Sequence, residues 1–199
     1  MHEDMIRLIG PGGAGKTTAG VALARRLDIP FVDLDQQFAN RYGNISQFLG
    51  THGYQAYASR NIQVYLDTLA SCPEEAVFAL SSGFMTYGIE AHPAYPGIIQ
   101  GIAGSRSTVV LLPAFDFEMC VAETVRRQLQ RPFCRPAERE EQVIRSRFGV
   151  YWRMPVMKCE TMKPVDVIVD DLVKYLLPNI RLQPSAAGAM MSRRSRNVG

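Results

Sequence analysis

Gly10-Pro11-Gly12-Gly13-Ala14-Gly15-Lys16-Thr17 fills every fixed position of the pattern G-x-x-x-x-G-K-[ST], directly after the apolar run 5–9. A short strand, a glycine-rich turn and a helix start aim successive main-chain N–H groups at one point, and the helix N-terminus adds positive dipole there. A polyphosphate fits such a cradle. Gly12, Gly13, Ala14, Gly15, Lys16, Thr17 and Thr18 are the expected nucleotide contacts, with Lys16 reaching the β and γ phosphates and Thr17 placing its hydroxyl on Mg²⁺. An ordinary glycine-rich turn is the competing reading. Four glycines followed by Lys16-Thr17-Thr18, between an apolar run and the helical pattern Ala19, Ala22, Leu23, Leu27, argue against it.

At 199 residues and 47% apolar content, the chain can bury one core and is short for two full domains. Formal charge is +3, and the segment 183–199 carries Arg193, Arg194 and Arg196 with no acid, so residues 1–182 sum to zero. The body is therefore no polyanion-binding surface, and neither nucleic acid nor membrane is expected as a partner. Residues 1–182 read as one domain and 183–199 as a disordered basic tail. Cys72, Cys120, Cys134 and Cys159 are scattered without a C-x-x-C pair, which argues against a zinc site and a disulfide framework. The start Met1-His2-Glu3-Asp4 lacks a positive leader, and no apolar stretch reaches the roughly 20 residues that a bilayer requires. A cytoplasmic protein is expected, and a monomer.

Apolar, β-rich runs recur at 5–9, 30–33, 76–80, 108–112 and 156–159. Helical patterns cover 16–27, 54–71, 115–128, 137–153 and 165–177. This alternation predicts a P-loop kinase-like α/β fold, a three-layer sandwich around a five-stranded parallel sheet. Ligands collect outside the carboxyl ends of such strands. The segments that matter are then the phosphate loop, Asp33-Leu34-Asp35, Ser81-Ser82-Gly83 and the residues after Leu112.

Taken in order, these positions resemble the shikimate kinase family from about Ile6 to Leu177. The resemblance is carried by Pro30-Phe31-Val32-Asp33-Leu34-Asp35, by Ile45-Ser46-Gln47-Phe48 followed by Gly53, by Gly83, by Arg131-Pro132, and by Arg147 ahead of Tyr151. It implies a mobile lid, here about 128–142, and transfer of the ATP γ-phosphoryl group to a hydroxyl of a small carboxylated ring substrate, shikimate first among them. Residue by residue, it implies that Asp33 helps to hold Mg²⁺ and that Asp35 faces the substrate hydroxyls. It makes Arg131 the lid arginine over the phosphates, Arg127 the neighbour of the adenine, and Arg147 the fork on the substrate carboxylate. Lys16, Asp35 and Arg131 are then the catalytic set. From the residues alone, Asp33 or Asp35 can equally cap a helix, 128–142 can be a surface loop, and Arg147 a surface charge.

The chain departs from the family on the substrate side. The family places an arginine five residues after the glycine that is Gly53 here, and a glutamate three residues further; this chain has Ala58 and Asn61. Arg60 is the nearby arginine that can stand in, although two residues along a helix rotate it by roughly 200°. Ser81-Ser82 replace two glycines, so Ser82 and Gly83 are the expected substrate contacts. The connection 84–107 is long and carries Tyr87, His92, Pro93, Tyr95 and Pro96. These departures keep three alternatives open: a kinase for another polyol or sugar acid, a catalytically silent ligand-binding protein of the same fold, and a nucleoside monophosphate kinase.

Overall fold

Each short apolar run becomes a strand in this computed structural model, which describes residues 5–130 and 136–180. The strands are β1 (Ile6–Ile9), β2 (Phe31–Asp33), β3 (Val77–Ala79), β4 (Thr108–Leu112) and β5 (Met157–Glu160). They form one sheet in the order β2-β3-β1-β4-β5, parallel throughout. β1 is central, pairing Arg7 with Phe78 on one side and with Thr108 on the other. Its carboxyl end, where the phosphate loop begins, therefore lies in the middle of the sheet, with β3 and β4 on either side.

Both faces of the sheet are buried, which is why its strands read as continuous apolar runs. Ile6, Leu8, Val77, Val109 and Leu111 point toward α1 (Lys16–Leu27) and α7 (Val165–Leu176), where Leu23, Ile168, Leu172 and Leu176 complete the layer. Ile9, Phe78, Leu80, Val110 and Leu112 point the other way. That face is covered by side chains of α2 (Leu34–Tyr42), α3 (Ile45–Ser71), α4 (Tyr95–Gly104), α5 (Phe117–Leu129) and α6 (Ala137–Arg153). Each fully buried Leu, Ile or Phe contributes about 1.5–3 kcal/mol. The three-layer parallel architecture expected from the sequence is the one found.

Two helices lie outside the predicted set. α2 starts immediately after β2 because the Asp33 carboxylate caps it, Oδ1 accepting from the N–H of Asp35 (3.0 Å) and of Gln36 (3.4 Å). Asp35 therefore stands in the first turn of a helix, just outside the carboxyl end of β2. α4 opens with Tyr95-Pro96 and contains Gly97, Gly101 and Gly104, a composition that reads as loop. Burial of Tyr95, Ile98 and Ile102 holds it. Of the expected lid 128–142, Leu129 ends α5 and α6 begins at Ala137; Arg131 and the rest of 131–135 lie outside the described residues, as does the tail 183–199. Among the described residues no helix is long and apolar enough to cross a membrane.

Candidate active site

The loop between β1 and α1 turns on Gly13 (φ 77°) and Gly15 (φ 86°), left-handed positions where a Cβ is strained, and Gly15 directly precedes the helix. Lys16 folds back over the loop, its Nζ donating to the carbonyls of Gly10 (2.8 Å) and Pro11 (2.9 Å). Thr17 Oγ1 donates to Asp33 Oδ2 at 2.7 Å while Oδ1 of the same carboxylate caps α2. Asp33 thus caps α2 with one oxygen and meets the phosphate-loop threonine with the other. Gly12, Gly13, Ala14, Gly15, Lys16, Thr17, Thr18, Asp33, Asp35 and Ser82 line one cavity of about 90 Å³. An anion cradle therefore opens beside two carboxylates. The Thr17 hydroxyl and the Asp33 carboxylate are hard oxygen donors in contact, the chemistry that Mg²⁺ takes.

A second cavity, of about 300 Å³, lies on the outer side of Gly13 and Gly15. Arg127 on α5 forms its wall. Nε donates to Glu123 Oε1 (2.6 Å), Nη1 to the Gly13 carbonyl (3.1 Å) and to Thr161 Oγ1 (3.1 Å), and Nη2 to the Thr161 carbonyl (3.0 Å). The guanidinium is thereby fixed flat between the phosphate loop and the end of β5, with Thr18, Lys163, Val165 and Ile168 around it. Thr161 was not among the residues expected at the site. Its position just after β5 is the signal that points to it, by the same strand-end rule that singles out Asp33 and Ser82. Glu123 lies well below the ordinary carboxylate range, at about 2, chiefly through its hydrogen bonds from Arg126 and also from Arg127.

The third cavity, about 680 Å³, is lined by Leu49, Tyr54, Thr86, Arg139, Val143, Ser146, Arg147 and Val150. Arg147 joins it to the phosphate side: Nη1 lies 3.5 Å from Ser82 Oγ, and Nη2 donates to the Tyr54 hydroxyl at 3.3 Å. Tyr151 on the next turn donates to the Ser82 carbonyl (2.8 Å) and holds this turn in place. Gly83 lies directly below; a Cβ there would stand 3.0 Å from Arg147 Nη2 and from the Tyr54 hydroxyl. Ser82, Gly83 and Arg147 are therefore brought together. Arg60 is not. It is exposed and lines none of the three cavities, because the inward face of α3 is formed by Tyr57, Ala58, Asn61, Val64, Tyr65 and Thr68; this corrects its expected place against the substrate.

Ala58 and Asn61 belong to the core, 2% and 0% exposed. Asn61 Oδ1 accepts from the Tyr87 hydroxyl at 3.0 Å, and Tyr87 meets the rings of Tyr54, Tyr57 and Tyr95 edge-on or tilted. The long connection after β3 thus delivers phenol rings to the wall that α3 leaves short of side chain. Burial pushes the Tyr57 and Tyr87 hydroxyls well above the ordinary phenol range, with the Asp35 charge adding to the effect at both. Burial likewise raises Tyr151 and takes Tyr95 to about 12. At neutral pH these groups stay protonated and act as hydrogen-bond donors.

The family described as "Shikimate kinase" matches residues 12–176. A shikimate kinase of Ralstonia nicotianae is 29% identical over 98% of this chain and 99% of its own length. One of Paracidovorax citrulli is 32% identical over 73% of this chain and 76% of its own. Among solved structures, shikimate kinase from Acinetobacter baumannii in complex with shikimate superposes with a TM-score of 0.69 at 24% identity, covering 89% of this chain and 96% of that one. At this identity the structural likeness speaks for the fold.

Proposed function

The chain belongs to the shikimate kinase family, a family of kinases matched here over residues 12–176, and from that premise we propose that it transfers the γ-phosphoryl group of ATP to a hydroxyl of a small carboxylated ring substrate, shikimate giving shikimate 3-phosphate. One observation carries this reading. Lys16, Thr17, Asp33 and Asp35 share a cavity with Ser82, and Ser82 is also the residue that Arg147 approaches from the acceptor side. A phosphate donor and a carboxylated acceptor can therefore meet over Asp35.

Phosphoryl transfer asks the protein for positioning and charge rather than covalent chemistry. Main-chain N–H groups of 12–18 hold the phosphates. Lys16, whose ammonium rests on two carbonyls, turns to the phosphate oxygens as a stronger acceptor becomes available. Arg127 and Thr161 bound the space for the nucleotide base. Thr17 and Asp33 are the residues that would hold Mg²⁺, which when bound supplies charge neutralisation on the phosphate oxygens. Asp35 orients the acceptor hydroxyl and takes its proton late in the transfer. Arg131 adds positive charge over the phosphates, a role that rests on the family resemblance. Arg147 holds the acceptor carboxylate.

The test is coupled ADP release from Mg²⁺-ATP with and without millimolar shikimate. Shikimate-dependent release supports the reading; ATP binding without such release overturns it. A second reading, a kinase for another polyol or sugar acid, is favoured by the buried Ala58 and Asn61 in place of the family's charged pair. A panel of polyols and sugar acids in the same assay separates the two, and the silent ligand-binding reading predicts no acceptor-dependent release from any of them.

A further inference from the structure

The acceptor wall lacks the α3 arginine that the family resemblance implies, and a phenol from the same helix stands against Arg147. Tyr54 accepts a hydrogen bond from Arg147 Nη2 at 3.3 Å, so its own O–H proton is free to be donated elsewhere. Ser82 Oγ, 3.5 Å from Nη1, offers a second hydroxyl beside the same guanidinium. The Arg147 guanidinium and two O–H donors thus stand together, Tyr54 and Arg147 lining the larger cavity with Arg139 further along its wall, and Ser82 lining the adjoining phosphate cavity. That set matches a carboxylate, which accepts through both oxygens and carries a single charge.

The local fold builds this arrangement. Gly53 (φ 78°, ψ 170°) breaks α3, and the helix that restarts after it sets Tyr54 in its first turn. Ring contacts to Tyr57 (6.3 Å) and Tyr87 (5.8 Å) hold the phenol, while 46% of the residue stays exposed. Gly83 has no Cβ, which would stand 3.0 Å from both Arg147 Nη2 and the Tyr54 hydroxyl. We propose that Tyr54 is a specificity-determining residue which, with Arg147, forms the site for the acceptor carboxylate, its hydroxyl donating where the family uses a second cation. This rests on the reading of the acceptor as a carboxylated ring alcohol.

The experiment compares the full-length wild type with Tyr54→Phe, which removes one oxygen and keeps the ring contacts. Acceptor KM and kcat are measured with shikimate and with its carboxamide, and equilibrium binding of both is measured by calorimetry. Removing a hydrogen bond to a charged group should raise the shikimate KM and Kd by about tenfold, with kcat within about twofold and the ATP KM unchanged. The carboxamide should distinguish the two proteins by less than about twofold, because its charge is gone. Wild type that binds or turns over shikimate while Tyr54→Phe behaves identically overturns the role of Tyr54 alone. Wild type that neither binds nor turns over shikimate, or any other cyclic hydroxycarboxylate offered, overturns the acceptor reading and this role with it.

Discussion

Asp35 is placed by its neighbour: Asp33 caps α2, and the cap turns the chain so that the carboxylate two residues on lines the phosphate cavity, where its charge adds to the burial that raises the phenols of Tyr57 and Tyr87. A residue that orients the acceptor and accepts its proton, without touching the nucleotide base, should act on kcat. Asp35→Ala is expected to lower kcat by about 10²–10⁴-fold with the ATP KM nearly unchanged; near-normal turnover in steady-state assays would remove it from the mechanism. Glu123 makes a prediction at the other end of the site. Its carboxyl is depressed to about 2, first by Arg126 and then by Arg127, so the stability it adds is fully present above the ordinary glutamate pKa of about 4.5. That stability is lost as pH falls from there toward 2. The Tm difference between wild type and Glu123→Gln should therefore be constant at neutral pH and close between about 4.5 and 2 in scanning calorimetry. A difference that persists unchanged at pH 2 would mean that Glu123 contributes through packing instead.

At the level of elements, α3 decides what the acceptor side can be. Its inward face at Ala58 and Asn61 is 2% and 0% exposed, so the family's arginine and glutamate cannot simply be put back. Ala58→Arg with Asn61→Glu would force two charges among Tyr57, Tyr65 and Tyr87 and break the Asn61–Tyr87 hydrogen bond. The cost should be about 3 kcal/mol or more, which lowers Tm by roughly 6–12 °C in a domain of this size. An unchanged Tm together with a tighter acceptor KM would show that the helix can present this face to the cavity. The limits of α1 and the places of the five strands, to within a residue at each end, were legible in the sequence because periodicity and glycine placement act locally. α4 was not, since its glycines and Pro96 speak for loop and only burial of Tyr95, Ile98 and Ile102 overrides them. α2 was hidden for a related reason: a capping aspartate and a catalytic one look alike until the hydrogen bonds are seen. Tyr54 against Arg147 and Thr161 against Arg127 join residues 93 and 34 apart, and no spacing rule reaches across that separation.

For the whole molecule, every described lining residue of the three cavities lies between Gly12 and Ile168, well before the tail. The last described anchor of the fold is Ile180, 8% exposed against the layer that contains Leu23, Leu172 and Leu176. The net charge of 1–182 is zero, so the arginines of 183–199 have no charged surface to complement on balance. We propose residues 1–182 as the kinase unit. A chain ending at Leu182 should keep kcat and both KM values within about twofold and Tm within about 2 °C. A chain ending at Leu177 removes Ile180 from the core, at about 1.5–3 kcal/mol, and should lose roughly 3–12 °C. If instead ending at Leu182 abolishes turnover, the basic segment belongs to the catalytic machinery and the unit must be redrawn to include it.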